Sequence, residues 1–208
     1  MKTAPPKTTI ALSAVTVASF VVIYVLGKFP EAAMLGGFIP ARLSGMTVAY
    51  AIPVWLTPLS ATLLHGGLLH IGFNLLMLYY CGREDEVALG RAGTAVLYLI
   101  GAYAAAAAQY AVGPHSPVPM VGASGAVSAL VGAYAMLYGQ RRPSKLSPEL
   151  ARWLHIAWLA AAWIAVQLML GLVSRSQGVA IASAAHIGGF LAGLLLARPL
   201  LRWRYRKA

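Results

Sequence analysis

The chain has 208 residues, of which 60% are hydrophobic and only 10% charged, and its mean hydropathy is +0.73. Soluble domains carry about 25% charged residues, so this composition excludes a water-soluble globular protein and predicts a membrane protein. The formal net charge is +11, but the Lys and Arg residues lie in short segments between long apolar runs. A nucleic-acid binder would carry a basic face on a soluble domain. We therefore expect the lipid bilayer, and no nucleic acid, as a partner.

Six apolar stretches reach the length of roughly 20 residues that a membrane-spanning helix needs. We interpret the first as a retained span, because its apolar core is long and the residues after it make a poor signal-peptide cleavage site. No internal repeat or additional soluble domain is evident, so residues 1–208 are predicted to form a single, all-α domain of six transmembrane helices. The predicted spans cover about 9–27, 62–82, 93–112, 121–140, 153–173 and 179–197.

The connections between these spans differ in character. The first, roughly 28–61, is long and carries scattered apolar residues, which predicts an interfacial segment that is part helix and part loop. The acidic run 84–86 is predicted to form a solvent-exposed turn between spans 2 and 3. The connection 113–119 contains three prolines and is expected to be non-helical.

Basic residues indicate the direction of the spans. With the N-terminus inside, the predicted inside segments hold 13 Lys and Arg residues and the outside segments hold three. Because inside loops of membrane proteins are enriched in Lys and Arg, both termini are predicted to be cytoplasmic. A short N-terminus without an Arg-rich transit segment favours a bacterial plasma membrane over a mitochondrial one.

Strongly polar side chains inside a span are costly, and each is a candidate functional residue. The depth of each side chain follows from counting about 1.5 Å per residue from the nearest inside Arg residue. By this count, most of the polar side chains of spans 2, 4 and 6 lie at a similar depth, in the outer half of the bilayer. His70 and Asn74 lie one turn apart on the same face of span 2. The polar residues within the predicted spans are His65, His70, Asn74, Gln109, Ser124, Ser128, Gln167 and His186.

Ser124 and His186 form the predicted catalytic pair. Spans 4 and 6 both carry small residues at helical spacing, and such surfaces let two membrane helices approach closely. Ser124 lies in the first turn of span 4, where unpaired N–H groups and the helix dipole favour negative charge. His186 would act as general base in a Ser–His dyad, because no carboxylate lies at that depth to complete a triad. His70, Asn74 and Gly122 are predicted to contribute to the oxyanion site.

Three sequence motifs together resemble the rhomboid intramembrane serine proteases. They are His-Gly-Gly-Leu-Leu-His-Ile-Gly-Phe-Asn at 65–74, Gly-Ala-Ser-Gly at 122–125 and Ala-His-Ile-Gly-Gly at 185–189. The resemblance covers about residues 10–198. A Gly-x-Ser-Gly motif alone is weak, but the three in this order on these spans are specific.

The resemblance implies a six-helix rhomboid-like bundle that acts as an intramembrane serine endopeptidase. Its substrates would be single-pass transmembrane proteins, cut at small residues, and no metal or other cofactor would be used. By position, Ser124 resembles the family's nucleophile, His186 its general base, and His70 and Asn74 its oxyanion ligands. Span 5 resembles the family's mobile helix beside the substrate entrance.

The chain departs from the family pattern at two places. Many members carry an aromatic residue four positions after the serine, where it stacks on the histidine, but this chain has Ser128. The orientation of His186 must therefore come from elsewhere. Trp55-Leu56 replaces the Trp-Arg pair that many members carry in the first connection. Gln109 and Gln167 are expected to bond between helices rather than to bind a ligand.

Two other classes of protein were weighed. A catalytically silent rhomboid-like protein that binds membrane helices would generally lack the serine or the histidine, and this chain has both. A small-solute transporter would call for repeated halves, or for broken helices with paired charges at the midplane, and neither is present in the sequence. The substrate and the oligomeric state are not determined by the sequence.

Overall fold

The computed structural model describes residues 5–139, 147–176 and 181–206. Helices account for most of these residues, joined by short 3-10 turns and loops. In chain order the helices are α1 (Lys7–Val25), α2 (Phe29–Gly36), α3 (Thr57–Ser60), α4 (Leu68–Val112), α5 (Ser124–Tyr138), α6 (Pro148–Ser176) and α7 (Ser183–Arg204).

The prediction of an all-helical membrane bundle is confirmed. Within the described residues, four helices are long and apolar enough to cross a membrane: α1, α4, α6 and α7. Helix α5 is apolar but has only 15 residues, a length of about 22 Å against a hydrocarbon core of about 30 Å. The number of six spans stays a prediction. Residues 140 and 179–180 of the predicted spans lie outside the described residues.

The predicted spans 2 and 3 correspond to the two halves of α4, two helices of 45 residues in all that meet at a kink at Gly90. Gly90 has non-helical dihedral angles within it (φ 74°, ψ 170°), and a left-handed φ of this kind favours glycine. The predicted start at residue 62 is wrong, since α4 begins at Leu68. The chain before it forms a 3-10 turn, Ala61–Leu63, and Gly67 is extended.

The acidic run 84–86 does not form a solvent-exposed turn, so that prediction is wrong. Asp85 is fully buried and Glu86 is 7% exposed. The carboxylate of Glu86 accepts hydrogen bonds from the backbone N–H groups of Thr8 (3.0 Å) and Thr9 (2.9 Å) and from the Thr9 hydroxyl (2.9 Å). The first N–H groups of a helix have no intrahelical acceptor. Glu86 therefore caps the N-terminus of α1 from within α4.

The two ends of the described chain lie at the same end of the bundle. Beside the Glu86 cap on α1, the Arg204 guanidinium near the end of α7 donates to the backbone carbonyl of Val87. The bend at Gly90 thus lies next to both the start of α1 and the end of α7.

Small residues allow α5 and α7 to pack backbone against backbone. A Cβ atom added at Gly189 would overlap the carbonyl oxygen of Gly125, and one added at Gly193 would overlap that of Ala129. From the other side, a Cβ at Gly132 would overlap the carbonyl oxygen of Phe190. The predicted small-residue contact between spans 4 and 6 is confirmed.

The first connection and the proline-rich connection meet just before α5. Phe38 and Met120 exchange two backbone hydrogen bonds of 3.0 Å and 2.8 Å in an isolated antiparallel bridge. Phe38 and Ile39 are buried. The first connection is part helix and part loop, and residues 113–119 are non-helical, as predicted. This bridge holds the chain that leads into Ser124.

Candidate active site

Ser124 is the first residue of α5, and the backbone N–H groups of the two residues before it both donate hydrogen bonds. The Gly122 N–H donates to the carbonyl of Ala61 (2.8 Å), and the Ala123 N–H donates to Nε2 of His65 (3.4 Å). The first intrahelical bond of α5 runs from the Val127 N–H to the Ala123 carbonyl (2.8 Å). The N–H groups of the first turn, beginning with that of Ser124, therefore have no intrahelical acceptor.

The structure brings His186 of α7 to Ser124, although the two residues are 62 positions apart. His186 Nε2 lies 2.7 Å from Ser124 Oγ, a distance typical of a hydrogen bond with a hydroxyl group. Both side chains are partly buried. They meet because the glycine contact brings the backbones of α5 and α7 together at this level.

The other ring nitrogen of His186 contacts a residue of α6. Gln167 Oε1 lies 2.8 Å from His186 Nδ1, and the Gln167 side chain is buried, with 3% exposure. The expected bonding of Gln167 between helices is present, but its link to the predicted base was not anticipated. The available signals were a lone amide on an apolar helix and the absence of an aromatic residue at Ser128.

Further contacts tie α6 to the backbone around His186. Trp163 Nε1–H donates to the carbonyl oxygen of His186 (3.3 Å), and the Trp163 ring stacks on that of Phe190 with centroids 4.8 Å apart. The Ser183 hydroxyl donates to the backbone carbonyl of Gln167 (3.1 Å). Helix α6 is therefore joined to α7 both above and below the histidine.

His70 approaches Ser124 across Gly122. Gly122 has a left-handed φ of 112°, and a Cβ atom added to it would lie 2.6 Å from His70 Nε2 and 3.6 Å from Ser124 Oγ. A glycine is needed here for both its dihedral angles and its lack of a side chain. The space that a side chain at 122 would occupy lies between the imidazole of His70 and the hydroxyl of Ser124.

The remaining contacts of His70 place a donor towards this space. The Gly66 N–H donates to His70 Nδ1 (3.4 Å), so in the neutral ring the proton is on Nε2. The ring of His65 packs against that of His70 with centroids 4.9 Å apart. His65 itself is buried, and its Nε2 accepts the hydrogen bond from the Ala123 N–H, so it supports the chain before Ser124.

Asn74 lies one turn after His70 and is buried, with 6% exposure. Its Nδ2 donates to the backbone carbonyl of His70 (2.8 Å), within the same helix. It makes no hydrogen bond with Ser124 in the described part of the chain. The N–H of Gly122 is likewise engaged, with Ala61. Of the three predicted oxyanion residues, His70 is the one whose side-chain nitrogen borders the space between Gly122 and Ser124.

A small cavity lies beside Ser124, at the start of α5. Its walls are mostly small or apolar side chains contributed by α3 and the 3-10 turn after it, by α4, α5 and α7, and by the chain just before α5. The lining residues include Pro58, Thr62, Ala102, Ala105, Met120, Val121, Ala126 and Ala185. Among the described residues, no group of three His, Cys, Asp or Glu side chains is arranged to hold a metal ion.

Fold and site together define an all-helical membrane protein with a serine–histidine pair within its helices. A profile of the rhomboid domain matches residues 53–203. The chain belongs to the rhomboid family.

Relatives with the name "Rhomboid protease GlpG" come from several bacteria. The protein from Pectobacterium atrosepticum is 31% identical over 192 residues, which are 91% of this chain and 61% of that protein. Those from Serratia proteamaculans and Yersinia pestis are each 35% identical over 66% of this chain and 45% of their own length. The chain therefore spans about half to three fifths of the relatives' length.

Proposed function

We propose that the chain is an intramembrane serine endopeptidase with Ser124 as nucleophile and His186 as general base. The observation that carries this proposal is the 2.7 Å contact between Ser124 Oγ and His186 Nε2, two polar side chains within otherwise apolar helices. A serine hydroxyl is a weak nucleophile until an adjacent base accepts its proton. Family membership and the name of the relatives add to this support.

In the first half of the reaction, Ser124 Oγ attacks the carbonyl carbon of the scissile peptide bond while its proton passes to His186 Nε2. The carbonyl oxygen becomes an oxyanion. When the tetrahedral intermediate collapses, the C–N bond breaks and His186 returns the proton to the leaving amine. In the second half, water attacks the acyl-enzyme ester with His186 again as base, which releases the carboxylic acid and restores the Ser124 hydroxyl.

The oxyanion would lie between Ser124 and His70. The N–H groups at the start of α5 and the positive end of its dipole favour negative charge there. His70 Nε2–H points into the space left by Gly122. We propose His70 as a direct donor to the oxyanion and Gly122 as the residue whose missing side chain leaves room for it. Asn74 is proposed as a further oxyanion ligand, held near the site by the hydrogen bond from its amide to the His70 carbonyl.

Single-pass transmembrane proteins are the proposed substrates. An active serine inside a bundle of apolar helices can be reached by a peptide segment that is itself held in the bilayer. The cavity beside Ser124 is lined with small side chains and suits a small residue next to the cleaved bond.

We place the protein in a bacterial plasma membrane with both termini cytoplasmic. Bacterial relatives and the distribution of basic residues support this assignment. The contacts of Glu86 with α1 and of Arg204 with Val87 support termini on one side. Alkaline phosphatase and fluorescent-protein fusions after residue 206 test it. A phosphatase-active, non-fluorescent pair would contradict it.

The activity is tested by labelling with a fluorophosphonate probe and by identifying membrane-protein fragments released in cells. We expect the wild-type chain to be labelled at Ser124 and to release fragments, and Ser124→Ala to do neither. A wild-type chain that binds membrane helices but is neither labelled nor able to release fragments would instead be a catalytically silent rhomboid-like protein. Fragments that persist with Ser124→Ala would exclude Ser124 as the nucleophile.

A further inference from the structure

The imidazole of His186 is held from both sides. On one side Nε2 meets Ser124 Oγ at 2.7 Å, and on the other Nδ1 meets Gln167 Oε1 at 2.8 Å. A neutral imidazole carries a proton on only one of its nitrogens. Whatever occupies Nδ1 therefore decides whether Nε2 can accept the serine proton.

We propose that Gln167 is the positioning residue of the dyad: its amide oxygen holds the proton of His186 on Nδ1 and leaves the lone pair of Nε2 directed at Ser124. This inference rests on the proposed catalytic roles of Ser124 and His186. An amide oxygen can only accept a hydrogen bond. In the opposite tautomer, Nε2–H would point at Ser124 and the base would be blocked.

Gln167 is itself held in place by α6 and α7. Its backbone carbonyl accepts the Ser183 hydroxyl, and one turn earlier Trp163 bonds the His186 carbonyl and stacks on Phe190. A glutamine side chain has several rotatable bonds, and its burial to 3% exposure restricts them. The acceptor is therefore fixed relative to the backbone that carries His186.

Two alternative supports for the ring are missing at this site. Position 128, one turn after the nucleophile, holds a serine, and that side chain is buried against the glycine contact between α5 and α7. The second support would be a buried carboxylate, but the buried Asp85 lies at the opposite end of the bundle, beside the Glu86 cap. Gln167 takes the place that a carboxylate has in a catalytic triad.

The role of α6 follows from this arrangement. The acceptor for His186 Nδ1–H lies on α6, whereas the two dyad residues lie on α5 and α7. The correct tautomer is thus maintained only while α6 packs against α7 at the level of Trp163 and Gln167.

Three variants test the role of Gln167. Gln167→Leu keeps much of the volume but removes the acceptor, Gln167→Glu keeps an acceptor at the same length, and Gln109→Leu is the matched control. Gln109 is a second glutamine on an apolar helix, and its buried side-chain oxygen has no hydrogen-bond partner among the residues that the structure describes. Gln109 makes no hydrogen bond with Ser124 or His186 among the described residues, so its replacement controls for loss of an amide from the bundle.

Turnover of a single-pass substrate in liposomes is the first measurement. In the transition state His186 is an imidazolium, and a hydrogen bond to a charged group contributes enough that its loss lowers kcat about 10- to 100-fold. We expect that loss in Gln167→Leu with KM unchanged, near-normal kcat in Gln167→Glu, and no change in Gln109→Leu. Equal kcat in Gln167→Leu and the wild type would overturn the inference.

The second measurement does not depend on activity. In a chain labelled with 15N-histidine, the two ring nitrogens of His186 report its tautomer, and His186→Ala identifies its signals. We expect the Nδ1–H tautomer in the wild type and in Gln109→Leu, and a mixture of tautomers in Gln167→Leu. An Nε2–H tautomer in the wild type would overturn the role of Gln167. The Nδ1–H tautomer in a chain without protease activity would support this role and reject the proposed function instead.

Discussion

Gly189 of α7 lies directly against the backbone of Gly125 of α5, so closely that a Cβ atom at 189 would overlap the Gly125 carbonyl oxygen. The residue after Ser124 is thus in contact with the residue three after His186. This contact between two glycines sets the separation of α5 and α7. At that separation the side chains of Ser124 and His186 can form a hydrogen bond.

The first prediction concerns this glycine contact. We expect Gly189→Ala to lower the free energy of unfolding by about 1–3 kcal/mol, because the added methyl group pushes two close-packed helices apart. Cleavage should also fall, as Ser124 and His186 separate. Thermal unfolding in detergent and turnover in liposomes are the measurements. Gly72→Ala is the control, because no atom of the described residues lies within 4 Å of a Cβ added to Gly72 on α4 and alanine favours a helix by up to about 1 kcal/mol. A stable and active Gly189→Ala would contradict the prediction.

The second prediction is that Ser124 and His186 act as one unit. We expect Ser124→Ala and His186→Ala each to abolish cleavage, and the double variant to be no worse than either single one. Their unfolding transitions should stay close to that of the wild type, since the packing of α5 on α7 is retained. Detectable cleavage by Ser124→Ala, or a further loss in the double variant, would show that the two residues do not share one step.

The third prediction concerns the space between His70 and Ser124. We expect Gly122→Ala to abolish turnover for two reasons. The added Cβ would lie 2.6 Å from His70 Nε2, and the left-handed backbone conformation at this position is strained for alanine. Gly67→Ala, just before α4, is the control, since a Cβ added there meets no atom of the described part of the chain within 4 Å. Comparable turnover of the two variants would show that the space at Gly122 is not used.

The fourth prediction compares the two oxyanion candidates of α4. Removal of one oxyanion donor typically lowers kcat about 100- to 1,000-fold, and we expect that range for His70→Ala. Asn74→Ala should lower kcat less, because the Asn74 amide already donates a hydrogen bond to the His70 carbonyl. Part of its contribution is therefore to hold His70 in place. Both variants should still react with a fluorophosphonate probe. Unchanged turnover in both would rule out an oxyanion role for this face of α4.

The fifth prediction concerns the cap of α1. Loss of a helix N-cap costs about 0.5–2 kcal/mol, and we expect Glu86→Ala to lower the free energy of unfolding by an amount at the upper end of that range. Three donors of Thr8 and Thr9 lose their acceptor in this variant. The neighbouring Glu84→Ala removes only a partly exposed pair with Arg83, which should cost less than about 1 kcal/mol. Equal effects of the two changes would refute the cap.

Much of this architecture was determined by local sequence. Long apolar runs give membrane helices because backbone polar groups must be satisfied within each segment. Ser124 and His186 stood out because polar groups are costly there, and the small residues on their helices indicated the close contact. The exact ends were less predictable: Gly66 and Gly67 delay the start of α4, and the helix continues through Arg83 to the bend at Gly90.

Only the tertiary structure decided which buried polar groups form hydrogen bonds with each other. Gln167 and His186 are 19 positions apart on different helices, and Glu86 is 77 from Thr9. Neither pair has a sequence pattern, since a buried glutamine or carboxylate takes whichever partner the packing presents. The engaged N–H of Gly122 was hidden for the same reason, because its acceptor, Ala61, belongs to a different segment. Helix formation depends on neighbours in sequence, whereas the pairing of buried polar groups depends on neighbours in space.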